Sequence, residues 1–313
     1  MTRKKKIDII IICGPTGIGK TSAAIKIAEE FKGEVISADS MQIYKYMDIG
    51  TAKPTLKEQM AVKHHMIDIV EPNQHFDAAK FSDLSHGIIS KLNKEGKLSV
   101  VAGGTGLYIK ALVYGLFQSE KVFPGIKKRL QDEASIYGAS FLHKRLKNID
   151  PETAKKLHQN DTSRIIRAIE VFEGTGKRIS EQQRKHGFAE KQFRVLSIGL
   201  NMERDKLYRR INRRVDQMIE LGFIKEIKSL LAMGFAENLQ SMQSIGYRHL
   251  VNFLKKNSSW EETLETFKRD TRRYAKRQLT WFNADPKIQW LEPERLEDML
   301  ELVEKFLKPD RFS

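Results

Sequence analysis

Residues 14–21 read GPTGIGKT and follow directly on the apolar run Ile7–Cys13, IDIIIIC. A short isoleucine-rich run without polar alternation is the pattern of a strand buried on both faces. The stretch behind the loop, TSAAIKIAEEF, suits a helix. Strand, glycine loop and helix in that order are the setting in which G-x-x-x-x-G-K-T binds phosphate. The loop's N–H groups and the positive end of the helix form a nest for an anion. The expected diphosphate contacts are Gly14, Pro15, Thr16, Gly17, Ile18, Gly19, Lys20 and Thr21. Lys20 adds a mobile positive charge, and the Thr21 hydroxyl suits Mg²⁺. Nucleotide binding, ATP first, is the usual use of such a loop, but the loop alone leaves open whose phosphate it holds.

The first 118 residues alternate short apolar runs with helical patterns, the signature of a parallel α/β sheet. Strands are expected at 7–13, 34–38, 65–69 and 98–102, with helices at 20–31, 56–61 and 76–94. The last strand runs into GGTGLYIKALVYG, a second glycine turn opening a helix. Two such junctions at the carboxyl ends of strands mark where doubly wound sheets bind ligands. Between 119 and 193 the chain becomes rich in Lys and Arg with short helical patterns, and RVLSIGL at 194–200 resumes the strand signal. Residues 203–233 and 241–282 read as long amphipathic helices with candidate breaks at Gly222, Met233, Gly234 and Gly246. KIQWLE supplies one more strand and 295–307 a last helix. The fold class is therefore α/β: a P-loop parallel-sheet core from 1–118 and 194–313 with helical C-terminal parts, interrupted by an all-helical insert at 119–193.

The chain carries 55 Lys and Arg against 40 Asp and Glu, a net charge of +15. A surplus of that size points to a polyanionic partner, nucleic acid first. The lone Cys13 lies in the first buried strand, where it serves as a small hydrophobe and excludes an internal disulfide framework. The amino-terminal apolar run is too short for a signal peptide and breaks into the loop. No segment approaches a membrane span, so a cytoplasmic protein without a membrane partner is expected.

A phosphoryl-transfer enzyme needs a second Mg²⁺ anchor, usually an Asp closing a buried strand. The strand at 98–102 ends in Ala-Gly-Gly-Thr instead, leaving Asp68 of HHMIDIV as a substitute or as a structural surface residue. In GEVISADSMQIY the second strand delivers Asp39 to the sheet's carboxyl edge, beside the loop. An Asp there either closes a turn or takes a proton, with Ser40 and Gln42 able to hydrogen-bond a substrate. Arg209, Arg210, Arg213 and Arg214 recur at helical spacing, with Arg210 and Arg214 on one face. Either they coat a solvated surface or they bind phosphate through the guanidinium fork. KRDTRRYAKRQLTW places six basic residues in its first ten, interleaved with Tyr274 and Trp281, a composition suited to backbone phosphates and unstacked bases. In the insert, DTSRIIRAIEVF sets Arg164 and Arg167 one turn apart beside an apolar face of Ile165, Ile166, Ile169 and Phe172. His64 and His65 lack further ligands at zinc spacing.

The segments GPTGIGKT, ISADSMQIYKYMDIGTAKP, HHMID, VAGGTGLYIKAL, NDTSRIIRAIEVFEGTGK, IGYR and AKRQLTWF, in that order, resemble the bacterial type of the tRNA dimethylallyltransferases, also called tRNA isopentenyltransferases. The resemblance spans nearly the whole chain. It implies transfer of a five-carbon group from dimethylallyl diphosphate to N6 of the adenosine 3′ of a tRNA anticodon, with release of diphosphate. It implies Mg²⁺ held with help from Thr21, Asp39 as general base, and Lys20 and Arg214 neutralising the leaving group. Asp39, Ser40, Met41, Gln42 and Thr105 would hold the base; Ser163, Arg164, Ile165, Ile166 and Arg167 would contact tRNA from an insert gripping the anticodon stem-loop. A monomer is the default expectation. Two rivals remain on the sequence alone: a small-molecule or nucleoside kinase, and a tRNA-binding protein whose loop senses nucleotide.

Overall fold

The computed structural model describes residues 6–115, 123–186 and 193–308. From the amino end run β1 (Ile7–Cys13), α1 (Lys20–Glu30), β2 (Gly33–Ser37), α2 (Leu56–Ala61), β3 (His64–His65), α3 (Ala78–Lys94), β4 (Leu98–Gly103) and α4 (Gly106–Tyr114). Next come α5 (Pro124–Tyr137), α6 (Ala139–Ile149), α7 (Pro151–Lys156), α8 (Thr162–Thr175) and α9 (Ile179–His186). The chain then forms β5 (Phe193–Leu200), α10 (Arg204–Glu220), α11 (Phe223–Ala232), α12 (Tyr247–Leu254), α13 (Trp260–Phe282), β6 (Gln289–Leu291) and α14 (Leu296–Leu307). It divides into two compact units, Met1–Val113 with Gln192–Ser313, and Tyr114–Lys191.

The first unit holds a six-stranded sheet in the order β3-β2-β4-β1-β5-β6, every pair parallel. The isoleucine run explains the position of β1. It lies between β4 and β5, and Ile9, Ile10, Ile11 and Ile12 are fully buried, as a strand covered on both faces requires. Each such side chain contributes roughly 1.5–3 kcal/mol on burial. Ala24, Ile27, Leu207 and Ile211 pack with Ile10 and Ile12, seating α1 and α10 against the sheet. Because the strands are parallel, all their carboxyl ends open on the same edge, and the glycine loop and Asp39 both emerge there.

Two sequence expectations change, and the candidate breaks at Gly222 and Gly246 hold. The strand at 65–69 shrinks to His64–His65, because Met66 (φ 63°) and Asp68 (φ 55°) enter the left-handed region and leave the extended path. The 68–69 amides instead donate to the carbonyls of Gln42 and Ile43, at 3.2 and 2.9 Å. The helix at 203–233 breaks at Gly222 (φ 94°), a break the glycine itself signals. The helix at 241–282 begins late, after Gly246 (φ 92°), and splits again at Lys256 (φ 61°). Ser259 restarts it as a cap, its hydroxyl accepting from the Glu262 N–H at 3.1 Å.

The second unit is helical. Leu130, Leu142, Leu146, Ile165 and Ile169 form its fully buried core. Arg129 and Arg145 each bridge Glu133 and Glu173, lacing α5, α6 and α8 together on the surface.

Candidate active site

The loop after β1 is shaped by close approach. Gly14 (φ 140°) passes so near the end of β5 that a Cβ there would lie 2.6 Å from the Leu200 carbonyl oxygen. Gly19 (φ 108°) caps α1 in a left-handed conformation. Lys20 Nζ donates to the Pro15 carbonyl at 2.7 Å. Burial pushes the Lys20 ammonium down to about 8; Asp39 acts against this and Arg214 adds to it.

At the end of β2 the Ala38 N–H donates to the Ala102 carbonyl at 2.8 Å, so Asp39 is the first residue past the ladder. Its Oδ1 accepts from the N–H of Met41 at 2.8 Å and more weakly from that of Gln42 at 3.4 Å. Oδ2 has no hydrogen-bond partner among the described residues. One oxygen therefore closes a turn while the other stays open to a proton. The second glycine turn comes to meet this edge: the Thr105 N–H donates to Ala38 O at 3.2 Å, and the Thr105 hydroxyl accepts from Ser40 N at 3.1 Å. Gly103 permits that approach, since a Cβ there would sit 2.1 Å from Ala38 O.

Arg214 and Arg210 project from one face of α10 onto the same cleft as Lys20, Thr21 and Asp39. Burial lowers the Arg214 pKa, opposed by Asp39 and assisted by Arg210. Arg209 and Arg213 are exposed on the other face. The cleft holds about 650 Å³, within the usual range for small-ligand sites. The loop at 48–54 forms a further wall, and Leu56, Met218 and Leu221 supply an apolar lip.

Other candidate residues take different places. Gln42 is committed to the protein: its Oε1 accepts from the Ser37 hydroxyl at 2.8 Å and its Nε2 donates to Ala52 O at 3.2 Å. Asp68 is ion-paired to Lys53 at 2.6 Å, and Lys53 also holds Asp48 and the Tyr44 carbonyl. Asp68 thus shares one lysine with Asp48 at the wall of the cleft, where it acts as a structural ion-pair partner of the 48–54 loop. Ile165 and Ile166, at 0 and 5 % exposure, belong to the core of the helical unit, and Ile166 also lines a shallow cleft beside Ser163. Ser163 and Arg164 on the same helix are exposed, with Arg164 3.4 Å from Asp161, while Arg167 pairs with Glu170 at 3.0 Å. Several of the cations on α13 are also matched, Lys268 by Asp216 at 2.6 Å and Arg273 by Asp270 at 3.7 Å.

Sequence reasoning missed Gln278 of α13. Its Oε1 accepts from Thr16 N at 2.8 Å and its Nε2 donates to Gly104 O at 2.9 Å, tying the two glycine turns together. The signal was there: Gln278 is a polar residue at helical spacing from the buried Ala275 and Phe282. Tyr274, one turn earlier, lies beside Thr105 and Gln278. Burial, and secondly the charge of Asp39, raises its phenol pKa, so it remains a neutral hydrogen-bonding group.

A parallel sheet with a glycine loop after its central strand, facing two partly buried cations and a half-free carboxylate, defines an α/β protein built to handle a phosphorylated ligand. Residues 42–285 match the family described as IPP transferase, and the chain belongs to that family. It is 52 % identical over 96 % of both chains to a tRNA dimethylallyltransferase of Desulfosudis oleivorans. It is 50 % identical to tRNA dimethylallyltransferase 1 of Pelobacter propionicus, over 93 % of this chain and 95 % of that one. Among solved structures, the full-length tRNA isopentenylpyrophosphate transferase of Bacillus halodurans superposes with a TM-score of 0.73 at 38 % identity, covering 97 % of this chain and 98 % of that one. A eukaryotic dimethylallyltransferase acting on tRNA gives a TM-score of 0.81 at 28 % identity, covering 96 % of this chain and 80 % of that one.

Proposed function

We propose that this transferase moves a dimethylallyl group from dimethylallyl diphosphate to N6 of the adenosine 3′ of a tRNA anticodon. The observation that carries the reading is the convergence of Asp39, Lys20 and Arg214 on one cleft. The N6 lone pair forms a bond to the allylic C1 as the C1–O bond to diphosphate breaks. The N6 proton passes to Asp39 Oδ2, and the electron pair leaves with the diphosphate. An exocyclic amine is a weak nucleophile at neutral pH, so a placed carboxylate contributes substantially. Lys20, Arg214 and the N–H groups of the 14–21 loop meet the negative charge that grows on the departing oxygens. Thr105 and Ser40, linked at the base side of Asp39, hold the turned-out adenine near that carboxylate.

Mg²⁺ fits the donors present: it takes few protein ligands and shares phosphate oxygens, and the Thr21 hydroxyl lines the cleft. Bound there, it would add positive charge to the diphosphate. The helical unit contributes Ser163, Arg164 and Arg167 to tRNA binding, a role its exposed cations support. No described helix is long and apolar enough to cross a membrane.

The reading is tested by product. With unmodified tRNA and dimethylallyl diphosphate, inorganic diphosphate is released only when both are present, and ATP substituted for the allylic donor releases no phosphate. Phosphate release from ATP onto a small acceptor would favour the kinase instead. Affinity for tRNA should fall steeply with added salt, and Arg164→Ala should reduce the slope of log K against log salt by about one. A slope unchanged in the variant would remove Arg164 from the interface.

Binding of inorganic diphosphate should also depend on pH through Lys20. Below pH 8 the free lysine is already charged, so binding takes up no proton through it. Above pH 8 it must be protonated as the anion binds, and affinity should fall by up to about tenfold per pH unit until the complexed lysine itself titrates. Lys20→Arg keeps the charge at every accessible pH and should lose this fall, as read by calorimetry across pH 7 to 9.5.

A further inference from the structure

We infer that Glu226, on α11, is a positioning residue that holds the 48–50 wall of the cleft in its binding shape. Its carboxylate is surrounded by donors. Oε2 accepts from the N–H of Asp48 at 3.0 Å and of Ile49 at 2.6 Å. Oε1 accepts from the Gly50 N–H at 3.2 Å and the Tyr247 hydroxyl at 2.6 Å. Successive backbone N–H groups aimed at one point make an anion nest, and here the anion comes from the protein itself. Charge-assisted bonds of this kind are among the strongest single contacts a loop can make.

The same place provides an apolar seat. A Cβ on Gly50 would lie 2.2 Å from the Phe223 ring and 2.5 Å from the Tyr247 ring, so this peptide lies flat against both. The two rings meet edge to face at 4.8 Å and 82°. Tyr247 is in turn fixed at the start of α12, where the Gly246 N–H donates to His249 Nδ1 at 3.2 Å. Asp48 and Ile49 face the cleft that holds Lys20 and Arg214, yet the turn they belong to pairs with no strand of the sheet. Glu226 is the group that replaces a sheet ladder there.

The inference takes the cleft's occupant from the proposed reaction, but its first test does not. In Glu226→Ala, exchange of the Asp48, Ile49 and Gly50 amides, resolved to single residues, should quicken about tenfold or more, with β1 and β4 amides unchanged. The KM for dimethylallyl diphosphate should rise about tenfold while kcat and the KM for tRNA stay within about threefold. Glu226→Gln should restore most of the KM. Its carboxamide oxygen still accepts from Asp48 and Ile49, and the Tyr247 hydroxyl can turn to accept from the amide. The Gly50 amide, left without its oxygen, should still exchange about tenfold faster in this variant, which decides the matter should the alanine variant not fold. Unchanged exchange at 48–50, or an equal loss in every kinetic constant without rescue by glutamine, would overturn the inference. A wild-type chain that transfers nothing from dimethylallyl diphosphate overturns the proposed reaction and leaves the exchange result to decide the clamp.

Discussion

Asp39→Asn is expected to lower single-turnover transfer by about two or more powers of ten while leaving the fold and tRNA affinity intact. The amide keeps an oxygen for the Met41 N–H, so the turn that Oδ1 closes at 2.8 Å survives. What is lost is the second oxygen as a proton acceptor. Asp39→Ala removes both and should lose at least as much rate together with some stability. Comparing the variants separates the two readings of an Asp at a strand end. If the asparagine variant turns over normally, Asp39 is a turn residue and the base lies elsewhere.

Lys20→Met carries the second large effect, a fall of about 10²–10³ in kcat, the size seen when one preorganised donor to a developing anion is removed. Lys20 also donates to Pro15 O at 2.7 Å, so a distorted loop is a competing cause. Arg214→Ala discriminates. It sits on α10, outside the loop, and on the proposed mechanism it should lose a comparable factor without altering the loop. Because Arg214 holds the Lys20 pKa down, the arginine variant should also let that lysine titrate higher, shifting the pH dependence of diphosphate binding upward. A distorted loop as the sole cause predicts near-normal turnover in Arg214→Ala.

Much of this arrangement was legible in the residues because it depends on local signals. The buried run of β1, the glycine loop and the strand that ends at Asp39 are contiguous patterns, and a parallel sheet brings strand ends to one edge automatically. The break at Gly222 followed from glycine's freedom at φ 94°. The shortened third strand was not readable, because its cause is left-handed backbone at Met66 and Asp68, imposed by bonds to a turn some 25 residues earlier. Ile165 and Ile166 show two signals pulling apart. Their helical spacing already placed them on an apolar face, and the family resemblance put them on the RNA. Gln278 and Glu226 were missed for a common reason: each acts on a segment more than 170 residues away, a relation no periodicity encodes.

The central claim is that the GPTGIGKT loop cradles a departing diphosphate and not a nucleotide that gives up its phosphoryl group. The most direct measurement is incubation of the chain with unmodified tRNA and dimethylallyl diphosphate labelled in its carbon chain, followed by digestion and nucleoside analysis. The account predicts label on N6 of a single adenosine adjacent to the anticodon, one inorganic diphosphate released per label, and no dependence on ATP. Label absent from tRNA, with γ-phosphate of ATP transferred instead, would contradict it.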